Sequence, residues 1–265
     1  MSTNTNSSRS LVQKWKENKF LFSELVKRDF KKKYKRTYLG MLWSVLSPLL
    51  TLLVMRLVFT QFFGRQMENY TTYLFCGNIV FAFFNDATNG GMSSLMGNAS
   101  IFSKINVPKY LFLFSKSVSS LINFGLTFVV FLLFCAIDGV VFTWTFFALL
   151  FPIACLIVFN IGVGLILSAM FVFFRDIQYL WTVFTQLLMY MSAIFYDIGG
   201  FSPNIQRLFL LNPVYVYIKY FRIAVLDGSL PSIQYHALAL GYAVVTFLIG
   251  ALIYKKFNHK FLYYI

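Results

Sequence analysis

The sequence predicts an all-α integral membrane protein, and three observations carry that expectation. First, 58% of the 265 residues are apolar and only 12% are charged, against roughly 25% charged in a soluble domain. With a mean hydropathy of +0.69, the chain has too little polar surface to cover a water-soluble body. Second, apolar runs recur at lengths suited to a hydrocarbon core of about 30 Å, which takes roughly 20 helical residues to cross. Third, the 23 Lys and Arg outnumber the 9 Asp and Glu and gather between alternate runs. A net charge of +14 points to nucleic acid only when it lies on a soluble domain, so that class is set aside.

Residues 1–38 form an N-terminal segment. It starts with a Ser-, Thr- and Asn-rich stretch, residues 2–10, that reads as a short disordered start. No cleavable signal is expected, because some 38 mostly polar residues precede the first long apolar run. Within this segment Phe22, Leu25, Val26, Phe30 and Tyr34 recur at three- and four-residue spacing, with Lys27, Arg28, Lys31, Lys32 and Lys35 between them. That pattern predicts a basic amphipathic helix lying in the membrane interface. It serves either as an anchor on anionic lipid, as a docking surface for a partner, or as both.

Six spans come after it, from Leu39 to Phe63, Tyr70 to Met92, Leu111 to Ile137, Phe142 to Phe174, Tyr179 to Tyr196 and Tyr235 to Tyr254. Asn78, Asn85, Asp86 and Asn89 interrupt the second, so it is expected to face protein or water rather than lipid. Residues 142–174 would reach about 50 Å as one helix, an excess to be absorbed by tilt or by extension beyond the bilayer. With Lys116 counted at the inner flank of the third span, only Arg56 and Asp86 place charge well inside the membrane. About 14 Å of depth separates them, so the expected role for each is a channel-facing or helix-contact one and not a mutual salt bridge.

Orientation comes from the Lys and Arg that flank each span. All 23 fall on one side except Arg56, Arg65, Arg207, Lys219 and Arg222. Both termini are therefore expected in the cytoplasm, with residues 255–265 as a basic tail. On that side, about residues 93–108, lies a connection holding Ile101, Phe102, Ile105 and Val107, closed by Pro108. It reads either as a short helix seated in a groove of another protein or as a loop tucked under the bundle itself. The stretch of about residues 197–230 lies outside and is too long for a bare connection. Two short helices split at Asn212 and Pro213 are expected there, serving as a lid over a pathway or as an interfacial cap whose Tyr215, Tyr217 and Tyr220 sit among headgroups.

Catalytic and metal signals are missing. Cys76, Cys135 and Cys155 are far apart in apolar runs, so they read as small packing residues. His236 and His259 sit near opposite ends of the last span, and no phosphate-binding loop of the G-x-x-x-x-G-K type occurs. The energy for any transport must come from elsewhere.

The run Leu25-Val26-Lys27-Arg28-Asp29-Phe30 with Tyr34, then Leu39-Gly40-Met41-Leu42-Trp43, Leu46, Pro48-Leu49 and Val58-Phe59, resembles the start of type-2 ABC exporter permeases that move polysaccharides of the O-antigen, capsule or teichoic acid type. The likeness continues through Ile101 to Pro108, Phe174-Arg175-Asp176-Ile177, and Asn212-Pro213 with Arg222 and Gly228. It implies a homodimeric six-span permease of the bacterial inner membrane, carrying residues 39–254 as its transmembrane domain. It also implies two ATP-binding subunits that use ATP and Mg, so that this chain is not itself an enzyme and binds no cofactor. On the same ground Ile101, Phe102, Lys104, Ile105, Asn106, Val107 and Pro108 match the family's ATPase-coupling region. Phe22 to Tyr34 match its interface helix, and Leu208, Asn212, Pro213, Tyr217 and Arg222 match its outer gate. The cargo implied is a lipid-linked polysaccharide. Rivals are a type-2 exporter of drugs or small lipids, an ion-coupled secondary transporter, which here lacks a relay of acids, and a non-transporting scaffold.

Overall fold

The structure, a computed structural model, describes residues 11–34, 38–62, 69–104 and 107–264. Residues 2–10, Arg65, and Ile105 and Asn106 of the expected coupling region lie outside the described residues, as does the side chain of Tyr34. All regular structure among the described residues is helical. In chain order the helices are α1 (Leu11–Tyr34), α2 (Trp43–Phe62), α3 (Tyr70–Ser93), α4 (Ala99–Phe102), α5 (Tyr110–Ile137), α6 (Thr145–Ala148) and α7 (Leu150–Phe173). They continue as α8 (Ile177–Met191), α9 (Pro203–Phe209), α10 (Pro213–Val225), α11 (Ile233–Phe257) and α12 (Phe261–Tyr264).

Six apolar runs are expected as spans, but among the described residues helix length and composition alone qualify only α5, the joined α6 and α7 (Thr145–Phe173), and α11. The bent pair α9 and α10 brings the number to four at most. The shortfall has physical causes. α2 carries a shorter apolar stretch, Trp43–Phe59, and α8 ends at Met191 after 15 residues, about 22 Å. α3 is too polar to qualify, yet from Tyr70 to Met92 it is mostly buried between neighbouring helices, and its Asn and Asp residues therefore cost less than they would in lipid. The long fourth run loses only its first residues: Gly139 turns the chain at φ 78°, residues 140–143 are non-helical, and α6 begins only at Thr145, so that the 29 residues of Thr145–Phe173 still reach about 44 Å.

α7 is the spine of the bundle. Gly162 and Gly164 lie two residues apart and so point to opposite faces of the helix. A Cβ on Gly162 would lie 2.5 Å from the Phe247 nitrogen of α11, and one on Gly91 of α3 would lie 2.9 Å from the Gly164 Cα. Small residues thus let two backbones close on α7 from either side, the way helices associate where water supplies no hydrophobic drive.

The buried apolar side chains form two main clusters. The larger joins Phe75, Phe84, Phe131, Tyr217 and Phe221. The second joins Leu25 of α1, Leu95, Phe102 of α4, Phe112, Val172, Tyr254 and Phe261. It marks the end of the molecule where α1, α4 and α12 meet, called here the basic end. The three cysteines are free and buried.

Candidate functional site

At the basic end the amphipathic helix is fastened through a residue that its apolar stripe does not include. Leu25 and Asp29 lie one turn apart on α1 and are both buried, at 3% and 5% exposure. Asp29 Oδ1 accepts from Arg28 Nη2 at 2.7 Å and from Lys116 Nζ of α5 at 3.3 Å, and its Oδ2 accepts from Ser115 Oγ at 3.2 Å. Arg28 Nη2 also donates to Asn98 Oδ1 at 2.6 Å, and Asn98 donates in turn to the Ser94 carbonyl at 2.7 Å. One carboxylate therefore ties α1 to α5 and, through Arg28, to the turn that leads into α4.

Phe102 faces the same cluster. It is 5% exposed, its ring centroid is 5.9 Å from that of Phe112, and Lys109 Nζ sits 5.9 Å from it. The structure thus turns this side chain toward the bundle, while Ile101, Val107 and Pro108 are half-buried and Lys104 is exposed. Phe22, Val26 and Phe30 are half-buried too, and exposed Lys27 pairs with Glu24 at 2.9 Å. Replacing Asp29 with alanine is expected to cost about 2 kcal/mol, toward the low end for a broken buried pair because Arg28 and Lys116 keep some water access. The variant should show a lower melting temperature and faster trypsin cleavage at Lys27 and Lys31. An unchanged digestion pattern would contradict this account of what holds α1.

Between α2, α3 and α5 lies a cleft of about 510 Å³. Its walls are mixed: Ser44, Ser47 and Thr51 from α2, Asn78 and Asp86 from α3, and Ser120, Asn123 and Thr127 from α5 stand among the apolar Trp43, Pro48, Ile79, Phe83 and Phe124. The α3 residues recur at a helical period, as do those of α5, so two polar stripes face each other. Asp86 Oδ2 accepts from Asn123 Nδ2 at 3.4 Å. Arg56 is exposed on α2 and forms no ion pair with Asp86. Hydroxyls, amides and one carboxylate can donate to and accept from a hydroxyl-rich ligand. No group of His, Cys, Asp and Glu among the described residues could hold a metal ion.

At the far end, α9 and α10 meet at an angle of 106°. Pro213 opens α10, and Asn212 caps it by accepting from the backbone N–H of Val214 and Tyr215. This is where a residue that cannot continue a helix and one that starts a new one stand side by side. The Asn212 amide also donates to Ser192 Oγ at 2.9 Å, at the end of α8. The turn after α8 is held by side chains. Arg222 donates to the carbonyls of Ala193 and Ile194, each at 2.9 Å. Tyr70 donates to that of Phe195 at 2.8 Å and Tyr73 to that of Tyr196 at 2.7 Å. The Arg222 guanidinium lies 3.4 Å from the centre of the Tyr73 ring, and Ala193 takes the left-handed backbone at φ 50°.

The placement of these residues corrects two expectations. Arg222, counted as a flanking charge, is 4% exposed and neutralises backbone carbonyls inside the protein. Tyr215, Tyr217 and Tyr220 are not in a headgroup belt, because all three are buried. Tyr217 donates to the Ala239 carbonyl at 2.8 Å, and Tyr220 meets His236 Nε2 at 2.8 Å. Leu208, on the short α9, is exposed. Asp29, Tyr70 and Tyr73 do site work that the sequence alone does not assign. The signal in the chain is the carboxylate of Asp29, set between the basic pairs Lys27-Arg28 and Lys31-Lys32.

The family profile described as ABC-2 type transporter matches residues 21–226, from within α1 to the end of α10. Among curated relatives, the O-antigen export system permease protein RfbA of Myxococcus xanthus is 30% identical over 147 residues. That match covers 56% of this chain and 56% of the relative's own length. A protein of the same name from Klebsiella pneumoniae is 26% identical over 247 residues, covering 91% of this chain and 95% of its own.

Proposed function

The chain belongs to the ABC-2 type transporter family, and on that premise we propose that it is the membrane permease of an exporter that moves a lipid-linked O-antigen polysaccharide outward. The observation that carries the reading is the near end-to-end match, 91% of this chain and 95% of the relative, to a protein named as an O-antigen export permease. The cleft between α2, α3 and α5 fits such a cargo, since the hydroxyls and amides along it can exchange hydrogen bonds with sugar hydroxyls while Trp43, Phe83 and Phe124 beside them offer apolar surface.

In this reading α2, α3, α5, α7, α8 and α11 are the six spans of a protein of the bacterial inner membrane, and the basic end with both termini is cytoplasmic. Two copies and two ATP-binding subunits form the working exporter, with ATP and Mg used by the partner. α8 supports a second copy, because Leu180, Val183, Phe184 and Leu187 are exposed and a patch of that kind is covered by lipid or by protein. Segment 93–108, with α1 beside it, receives the motion of the ATP-binding subunit, and its exposed Lys104 is free to meet one. The bend of α9 and α10 over the end of α8 serves as the outer gate.

Depleting the chain in its host is expected to strip O-antigen from the surface and to accumulate lipid-linked polymer on the cytoplasmic side. Purified alone it should hydrolyse no ATP, and transport should return only when the ATP-binding subunit is co-reconstituted. Surface polysaccharide unchanged on depletion, or transport by the chain alone under an ion gradient, would overturn the proposal.

A further inference from the structure

A second recess lies away from the polar cleft. α5 and α11 both pack on α7, and at the basic end a groove of about 340 Å³ separates them. Its wall changes character along its length. Lys109, Tyr254, Lys255 and Asn258 stand at the end nearest the tail, and Phe114 and Phe247 line the rest.

We propose that this groove holds an anionic phospholipid of the surrounding membrane, its phosphate between Lys109 and Lys255 and an acyl chain along Phe114 and Phe247. The charge points to an anion. Neither lysine pairs with a carboxylate among the described residues, and the Lys109 ammonium spends one donor on the Asn258 carbonyl at 2.7 Å, which leaves two. Burial draws the Lys109 ammonium below the ordinary lysine range, the response of a cation without a counter-ion that a phosphate would relieve. Tyr254, on the same wall, is 7% exposed and its buried hydroxyl has no partner among the described residues. The shape points to a lipid rather than a soluble protein. Phe247 lies seven residues up α11 from Tyr254, about 10 Å deeper into the bundle, a depth that an acyl chain shares and a cytoplasmic subunit does not. Basic pockets between helices at this level are suited to lipid headgroups.

The chain purified in mild detergent should retain phosphatidylglycerol in native mass spectrometry. Its melting temperature should rise on adding phosphatidylglycerol but not phosphatidylcholine of the same chains. Lys255→Gln is expected to weaken phosphatidylglycerol roughly fivefold, and Lys109→Gln with Lys255→Gln about 25-fold. Lys255 makes no contact that holds the fold together, so its variant remains decisive if Lys109→Gln disturbs packing. Lys256→Gln should leave binding unchanged, since Lys256 sits over the Phe257 ring outside the groove. Equal stabilisation by the two lipids, equal stabilisation by glycerol phosphate without chains, or equal losses in Lys255→Gln and Lys256→Gln would each overturn the proposal. So would a Lys255 shielded from amine-reactive reagent by the ATP-binding subunit and not by phosphatidylglycerol.

Discussion

Replacing Arg222 with leucine should destabilise the half of the molecule opposite the basic end by about 3 kcal/mol or more, read as a lower melting temperature and faster amide exchange in residues 192–198. The leucine keeps much of the side-chain volume and removes every donor. The Ala193 and Ile194 carbonyls, each held at 2.9 Å, are then stranded, at about 1–3 kcal/mol apiece when water cannot reach them. The weaker contact to the Tyr73 carbonyl at 3.5 Å and the stacking on the Tyr73 ring are lost as well. Lysine should rescue only part, because a compact ammonium cannot lie flat on the ring while donating to two carbonyls. Tyr73→Phe keeps the ring beneath the guanidinium and removes only the hydroxyl's bond to Tyr196, so its cost should be near 1 kcal/mol. An Arg222→Leu protein that melts like the parent would mean that water already serves these carbonyls.

The legible and the illegible parts of this chain divide along a physical line. Run lengths and helix breakers are local, so α3 begins at Tyr70 and α5 ends at Ile137 where the apolar runs do, and the outer break falls on Asn212 and Pro213. Burial is not local. Arg222 looks like any flanking cation until α10 is packed against the end of α8, and Asp29 is lost among lysines until Lys116, 87 positions later, comes within 3.3 Å. Phe102 on a four-residue helix carries no mark of which surface covers it, and the fold supplies its own, Phe112. For the same reason Phe102→Asp would damage the cluster at the basic end before it tested any docking, so the exposed Lys104 is the cleaner probe of the proposed coupling role. The fourth run shows the limit of hydropathy: Phe142 to Trp144 are as apolar as the residues of α6, and only the turn at Gly139 delays the helix.

Gly162→Ala should be among the most damaging single-methyl additions available in this chain, because the new carbon has no flexible side chain to displace. It would sit 2.5 Å from the Phe247 nitrogen and 2.6 Å from the Thr246 carbonyl carbon, so α7 and α11 must part by about 1 Å to restore ordinary contact. Overpacking of this kind costs about 1–3 kcal/mol, and valine at the same place should exceed it. Gly250→Ala meets the other side of the same crossing, its Cβ 2.5 Å from the Gly162 carbonyl oxygen. The double variant is therefore expected to cost clearly less than the two single costs together, because helices already parted for one methyl leave room for the other. Gly241→Ala, on the same helix with no atom within 4 Å, should be neutral or slightly stabilising, since alanine favours the helix over glycine. Thermal unfolding of the five variants in one detergent measures the whole set. Strict additivity of Gly162→Ala and Gly250→Ala would mean that the two glycines relieve separate contacts, and a neutral Gly162→Ala would mean that α11 does not lie against α7 at this distance.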